Sequence, residues 1–266
     1  MDAKRLDVLV AEVAGVSREQ AKELVLLGEC LVDGKVITKP GMKVDEGVKV
    51  VVDAKALPYV SRGGLKLAKG LEVFRVDLQG LKCMDIGAST GGFTDCMLQN
   101  GASAVLAIDN GSDQIHEKLR DDPRVIVWED ADIRKVERES LPFLADFVAV
   151  DVSFISLTLI LPSVYGVLKD EGCGILLIKP QFEAGPKAVN KKGIAKNPKD
   201  HEKAIKGVCD KCVEIGLRPL NIDFSPIKGK GGNVEYLLFV QKGDGVAIVS
   251  QRQISSVVKE ATEREA

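Results

Sequence analysis

Apolar positions recur with one spacing at the start of the chain and another later, and the change divides it. Leu6, Val8, Leu9 and Val13 fall at helical spacing, and a second helix is expected over residues 18–27, with Ser17 as N-cap and Gly28 as its stop. Short runs follow. Residues 30–32 and 35–37 flank Asp33-Gly34, the dipeptide of a primed hairpin turn, and residues 48–52 supply a further strand. Residues 54–64 break the pattern: 54–59 are irregular, and Ser61-Arg62-Gly63-Gly64 turns into a helix. There Leu67, Ala68, Leu71 and Phe74 share one face, which leaves Lys66 in the first turn, off the apolar stripe and free to face a cleft.

From Lys82 onward, strand and helix patterns alternate. Strands are expected at 83–86, 105–109, 125–128, 147–152 and 174–179, with two late strands at 220–224 and 235–240. The turn-rich segment 225–232 between the late strands is short enough for an antiparallel pair. The alternation predicts an α/β fold: a doubly wound, Rossmann-like sheet with an antiparallel last strand, binding ligands at the carboxyl ends of its strands. Residues 199–215 read as an amphipathic helix, and 250–266 as a terminal helix docking through Ile254, Val257, Val258 and Ala261. The expected organisation is a small α+β domain at 1–57, a linker at 58–64, the α/β domain at 65–243 and a tail helix at 244–266.

Composition narrows the function classes. With 266 residues and 45% hydrophobic content, the chain can bury the core of one medium domain and one small one. A formal net charge of −2 does not advertise nucleic-acid binding, so any basic surface has to be local. One such stretch follows Lys179: Lys187, Lys191, Lys192, Lys196, Lys199, Lys203 and Lys206. The first residues carry no apolar signal core, and the uncharged stretch 152–168 is interrupted by Pro162 and diluted by serines. The expectation is a cytoplasmic protein without a membrane span, its six cysteines kept as thiols. Cys209 and Cys212 form a C-x-x-C pair. A closed zinc site needs four ligands, and only His201 and carboxylates lie near, so buried helix thiols are favoured and no metal is expected.

The segment Asp85-Ile86-Gly87-Ala88-Ser89-Thr90-Gly91-Gly92-Phe93 follows a strand and opens a helix. Its glycines permit a sharp turn and close approach of a ligand. The form D-x-G-x-x-x-G-G, with Ser89 where a dinucleotide fingerprint has its middle glycine, resembles S-adenosylmethionine (SAM) methyltransferases, although an NAD enzyme is an alternative. Helix N-terminal amides would then meet the amino-acid carboxylate of SAM instead of a pyrophosphate. Asp109, ending the second strand, suits the ribose hydroxyls. Within residues 128–133, Asp132 is the candidate for the adenine amino group.

Two further resemblances meet in the one chain. Arg5-Leu6-Asp7, Ser17-Arg18, Ala21, Leu24-Val25, Gly28, Leu31-Val32, Gly34 and Lys39-Pro40 resemble the S4 RNA-binding domain. That likeness implies RNA contacts from Arg5, Ser17, Arg18 and Lys22, with Arg62 of the joint added as a further candidate; Glu29 stands where a basic or neutral residue is common. Lys66, Asp151, Lys179 and Glu235 resemble the Lys-Asp-Lys-Glu tetrad of FtsJ-type RNA 2′-O-methyltransferases. The combination resembles the TlyA family, which carries haemolysin labels and whose characterised members methylate ribosomal RNA. In place of the Arg-Thr-Asn common in that family, this chain has Asp130-Ala131-Asp132.

The resemblance implies a SAM-dependent enzyme acting on ribosomal RNA or ribosomal subunits. Lys179, its pKa lowered by Lys66 and partial burial, would be the general base for a ribose hydroxyl. Lys66 would stabilise the developing alkoxide, while Asp151 and Glu235 hold the lysines. The absence of an Asn/Asp-Pro-Pro-aromatic run after strand four, and of a cysteine nucleophile at a strand end, disfavours methylation of base nitrogen or carbon. Two other readings are a membrane-damaging haemolysin and an RNA-binding module without catalysis.

Overall fold

The computed structural model describes residues 3–16, 18–45, 47–52 and 58–263, and the chain divides into two compact units, Met1–Gly64 and Leu65–Ala266. Ser17, expected as an N-cap, lies outside the described residues, as do residues 53–57 of the expected joint.

In the first unit, β1 (Ala3–Arg5) leads into α1 (Leu6–Ala14), which is followed by α2 (Arg18–Leu27). The hairpin β2 (Cys30–Val32) and β3 (Lys35–Val36) turns through Asp33 and Gly34 at φ +48° and +79°, the left-handed pair of a primed turn. Next come β4 (Lys43–Asp45), antiparallel to β1, and β5 (Val50–Val52), antiparallel to β2. The apolar stripes of both helices meet in a small core of Leu6, Val10, Ala21, Leu24 and Val25 with Cys30, Val32 and Val44. The β1–β4 pair was not expected: three-residue strands are too short to show an alternating pattern.

The second unit begins with α3 (Gly63–Phe74), most of which lies in it. It continues through β6 (Lys82–Ile86), α4 (Gly92–Gln99), β7 (Ala104–Ile108), α5 (Glu117–Arg120), β8 (Val125–Trp128) and β9 (Ala145–Val150). Then follow α6 (Leu157–Val167), β10 (Leu168–Ile178), α7 (Pro180–Glu183), α8 (Pro198–Glu214), β11 (Leu217–Phe224), β12 (Tyr236–Lys242) and α9 (Gln251–Glu263). Seven strands form one sheet in the order β11-β12-β10-β9-β6-β7-β8, with β12 antiparallel to both of its neighbours. The central strands are covered on both faces and read as continuous apolar runs, as buried parallel strands do. The chain winds from β6 out to β8, then returns to place β9 beside β6. That reversal opens a crevice at the carboxyl ends of β6 and β9.

The strand ends differ slightly from expectation. β9 stops at Val150 and β10 at Ile178, so Asp151 and Lys179 stand just beyond their strands, and β12 starts one residue after Glu235. β10 also begins earlier, at Leu168, through an irregular register between Leu168 and Cys173 that its polar residues disguise. The segment 157–167 is an eleven-residue core helix with Pro162 inside it, and among the described residues no helix is long and apolar enough to cross a membrane. His201, Ile205, Val208, Cys209 and Cys212 lie on the buried side of α8, where burial pushes the Cys209 thiol up to about 12 and Cys212 higher still.

Candidate active site

Sheet register brings the four tetrad residues to one rim. β10 and β12 run antiparallel with Ile178 opposite Tyr236, so Lys179 and Glu235, one step outside that pair, are neighbours. β9 lies beside β10, and Asp151 just past its end donates its backbone N–H to the Ile86 carbonyl at 2.9 Å. Helix α3 lies over the same part of the sheet: Phe74 stacks on Phe239, and Lys69 reaches Asp223 and the Phe224 carbonyl. Its first turn thereby carries Lys66 to the rim.

The geometry is a chain of alternating charges. Lys66 Nζ is 2.6 Å from Glu235 Oε2 and 3.7 Å from Asp151 Oδ2, and Lys179 Nζ is 2.6 Å from Asp151 Oδ1. Glu235 is 2% exposed, so its partner at the rim is the Lys66 amine rather than bulk water. Burial pushes the Asp151 carboxyl up, but the charges of Lys66 and Lys179 outweigh it and hold the group below the ordinary carboxylate range. Lys179 also donates to Ser153 Oγ at 2.8 Å, a contact the sequence did not reveal.

The glycine turn closes the other side of the crevice. Gly87, at φ +85°, passes so close to Asp151 that a Cβ there would overlap the Asp151 carbonyl oxygen. Gly91, at φ +94°, is packed by the Leu119 side chain, while Gly92 starts α4 and Phe93 is buried behind it. Ser89 adopts φ +48°, donates its N–H to Asp109 Oδ2 at 2.7 Å and bonds Gln114 through its hydroxyl; Thr90 accepts from the His116 N–H.

Asp85 is fully buried. Its Oδ2 accepts from the Thr94 N–H and hydroxyl at 2.9 and 2.7 Å, and its Oδ1 has no hydrogen-bond partner among the described residues. Burial raises this carboxyl to about 7. A buried orphan oxygen beside a glycine cradle is the feature that a cationic amino group of a ligand would satisfy.

Other candidates are placed differently. Asp109 already accepts from the N–H groups of Ser89 and Gly111. Asp132 caps a 3-10 turn and is gripped by the Arg134 guanidinium, which holds its carboxyl down to about 2. In that region Glu129, missed from the sequence, has the larger structural part: it accepts from the N–H groups of Gln114 and Ile115 and pairs with Arg120. In the first unit, Arg5 makes a two-pronged bond to buried Asp7, with Arg18 3.6 Å from the same carboxylate. Lys22 is exposed on α2, and Arg62 is paired with Glu23. The lysines from 187 to 206 are exposed, and Lys206 pairs with Asp210.

One further residue stands out at the rim. Phe154 is 86% exposed, holds φ +64° and packs its ring 5.3 Å from that of Phe182. A bulky side chain displayed to solvent on left-handed backbone costs about 1–2 kcal/mol, and such displays cluster at binding sites.

Comparison with known proteins agrees with this architecture. The FtsJ-like methyltransferase family profile matches residues 59–242, and the S4 domain profile matches residues 4–50. A provisionally named rRNA methyltransferase of Bacillus subtilis, YqxC, is 41% identical over 97% of this chain and 94% of its own length. The Mycobacterium tuberculosis 16S/23S rRNA (cytidine-2′-O)-methyltransferase TlyA is 38% identical over 85% of this chain and 84% of its own. A solved structure from Streptococcus thermophilus, provisionally labelled a hemolysin, superimposes with a TM-score of 0.80 at 42% identity, covering 100% of this chain and 98% of that one. The chain belongs to the FtsJ-like methyltransferase family, in the TlyA-like group that joins this domain to an S4 domain.

Proposed function

We propose that the protein transfers a methyl group from SAM to a ribose 2′-hydroxyl of ribosomal RNA, presented in a ribosomal subunit, in the cytoplasm. The observation that carries this reading is the placement of two lysine amines on either side of Asp151, beside the glycine turn. In this reading residues 1–57 grip structured RNA, 58–64 join, 65–243 catalyse and 244–266 close the fold.

The residues present fit the methyl donor. The orphan Oδ1 of Asp85 would take its amino group, the turn from Gly87 to Phe93 would cradle its carboxylate end, and Asp109 would receive the ribose hydroxyls. Asp132 would meet the adenine only alongside its bond to Arg134. When bound, SAM supplies an electrophilic methyl group on a sulfonium. The protein's part is to position and deprotonate the acceptor. Lys179 takes the hydroxyl proton, Lys66 places positive charge beside the developing alkoxide, and Asp151 and Glu235 fix both amines. Arg5, Arg18, Lys22 and Arg62, with Ser17, supply phosphate and shape contacts, and the lysines from 187 to 206 clamp the backbone.

Incubating the protein with labelled SAM and unmodified ribosomal subunits tests the reading. Label is expected in rRNA at a position that resists alkaline cleavage; label on a base, or none in rRNA, overturns it.

Two outcomes follow from the site. Exposed Phe154 offers a stacking face for the target nucleobase, so Phe154→Ala is expected to raise KM for the subunit about tenfold. The thermal midpoint should stay put, as read by a melt beside steady-state kinetics. For Asp85, the folded carboxyl is raised to about 7 from an unfolded value of 3.8, so its contribution to stability is complete below about pH 4 and lost as pH rises through 7. Without SAM, Asp85→Asn should therefore melt above the unaltered chain at pH 8, with the gap closing toward pH 5. Calorimetric titration of the same variant should show weakened SAM binding.

A further inference from the structure

The tetrad leaves one contact of its base unexplained. Among the described residues, Lys179 Nζ has an ion-pair partner, Asp151 Oδ1 at 2.6 Å, and one hydrogen-bond acceptor, Ser153 Oγ at 2.8 Å. A neutral amine carries two hydrogens and one lone pair in roughly tetrahedral directions. An amine held by the Asp151 charge alone can swivel and turn its lone pair away from the substrate. The bond to Ser153 Oγ restricts that freedom: it fixes the direction of one hydrogen while the carboxylate draws the other side of the amine, which leaves the lone pair the remaining direction.

We infer that Ser153 is a positioning residue that aims the lone pair of Lys179 at the acceptor hydroxyl, an inference that rests on the reading of Lys179 as general base. Ser153 itself is exposed, so water can accept its hydroxyl proton while Oγ receives the amine's.

A serine on an exposed loop can aim a base only if the loop is held, and this one is tied on both sides. Just downstream, Ser156 Oγ donates to Glu183 Oε2 at 2.5 Å and the Leu157 N–H donates to Glu183 Oε1 at 2.8 Å. Phe154 rests against Phe182. Glu183 and Phe182 belong to α7, whose N-cap is Lys179, so the helix that carries the base also anchors the loop that carries its acceptor. The two parts keep a fixed relation if the rim shifts. Geometry held through side chains of supporting residues is worth about one hydrogen bond in the transition state, which corresponds to a roughly tenfold change in rate.

The test is single-turnover methylation of ribosomal subunits by the full chain, with SAM and subunit binding and the thermal midpoint measured in parallel. Ser153→Ala is expected to slow the step about tenfold and leave both dissociation constants and the midpoint unchanged; Ser153→Thr, which keeps a hydroxyl, should restore the rate to within about threefold. A rate for Ser153→Ala within twofold of the unaltered chain, beside an inactive Lys179→Ala, sinks the inference and leaves the base assignment standing. Loss of binding or of fold in Ser153→Ala, or no rescue by threonine, assigns a structural role instead and also overturns it. An active Lys179→Ala removes the base assignment itself.

Discussion

Lys179→Ala is expected to lower the methyl-transfer rate about 1,000-fold or more while SAM still binds, because the substitution removes the proposed proton acceptor and leaves the glycine turn intact. The two-carboxylate, two-lysine arrangement makes a sharper version available. Lys179→Arg keeps a cation that can pair with Asp151, yet a guanidinium is effectively never deprotonated. Arginine should therefore restore the melting temperature lost with alanine, since unpairing a buried carboxylate is costly, but not the rate. Labelled transfer to subunits, SAM calorimetry and a thermal melt on the three proteins separate charge from basicity. An arginine variant within tenfold of the unaltered rate would show that Lys179 acts by charge alone.

Gly87→Ala is the second large effect, and it acts through the backbone. The residue sits at φ +85°, where a side chain costs about 1–2 kcal/mol, and its Cβ would also overlap the Asp151 carbonyl oxygen. Backbone cannot step aside as a side-chain tip can, so strain and clash together are expected to remove about 2–4 kcal/mol of stability. They should also displace Asp151 from both lysines and abolish transfer. Gly80→Ala is the control: its φ is +75°, but nothing lies within 4 Å of the added carbon, so only the conformational part remains. Urea unfolding of both variants gives the difference. Equal losses would mean that the turn yields and the clash is relieved.

What the sequence made legible depends on how local its cause is. The strand 125–128 could be read to the residue because an apolar run is bounded by charged and turn residues on both sides. The hairpin at Asp33-Gly34 was equally plain, since two left-handed residues in a row nearly dictate the turn. β10 was read too short because Lys169, Asp170 and Glu171 look like a loop, while an irregular register lets them continue the strand at the sheet's exposed end. The four tetrad residues could be picked out, and three of them assigned to strand ends. Which oxygen faces which amine, however, is set by contacts between distant parts of the chain, Lys66 meeting Glu235 across 169 positions. Asp132 shows the opposite limit. Its commitment to Arg134, two residues on, is local, but the position after a strand points to a ligand contact instead. Ser153 and Phe154 carry no periodic signal at all; their roles come from a loop held by a carboxylate 27 positions downstream of Ser156.

The reversed direction of the last strand has a temporal consequence. Parallel strands deliver only their finishing ends to the working rim, whereas β12 delivers its beginning, so Glu235 meets Lys66 across a separation of 169 residues. A chain released from synthesis before this strand is made has every other side chain of the tetrad but lacks the carboxylate that pairs with Lys66. Competence to modify RNA therefore arrives late, only when β12 has emerged and inserted between β10 and β11.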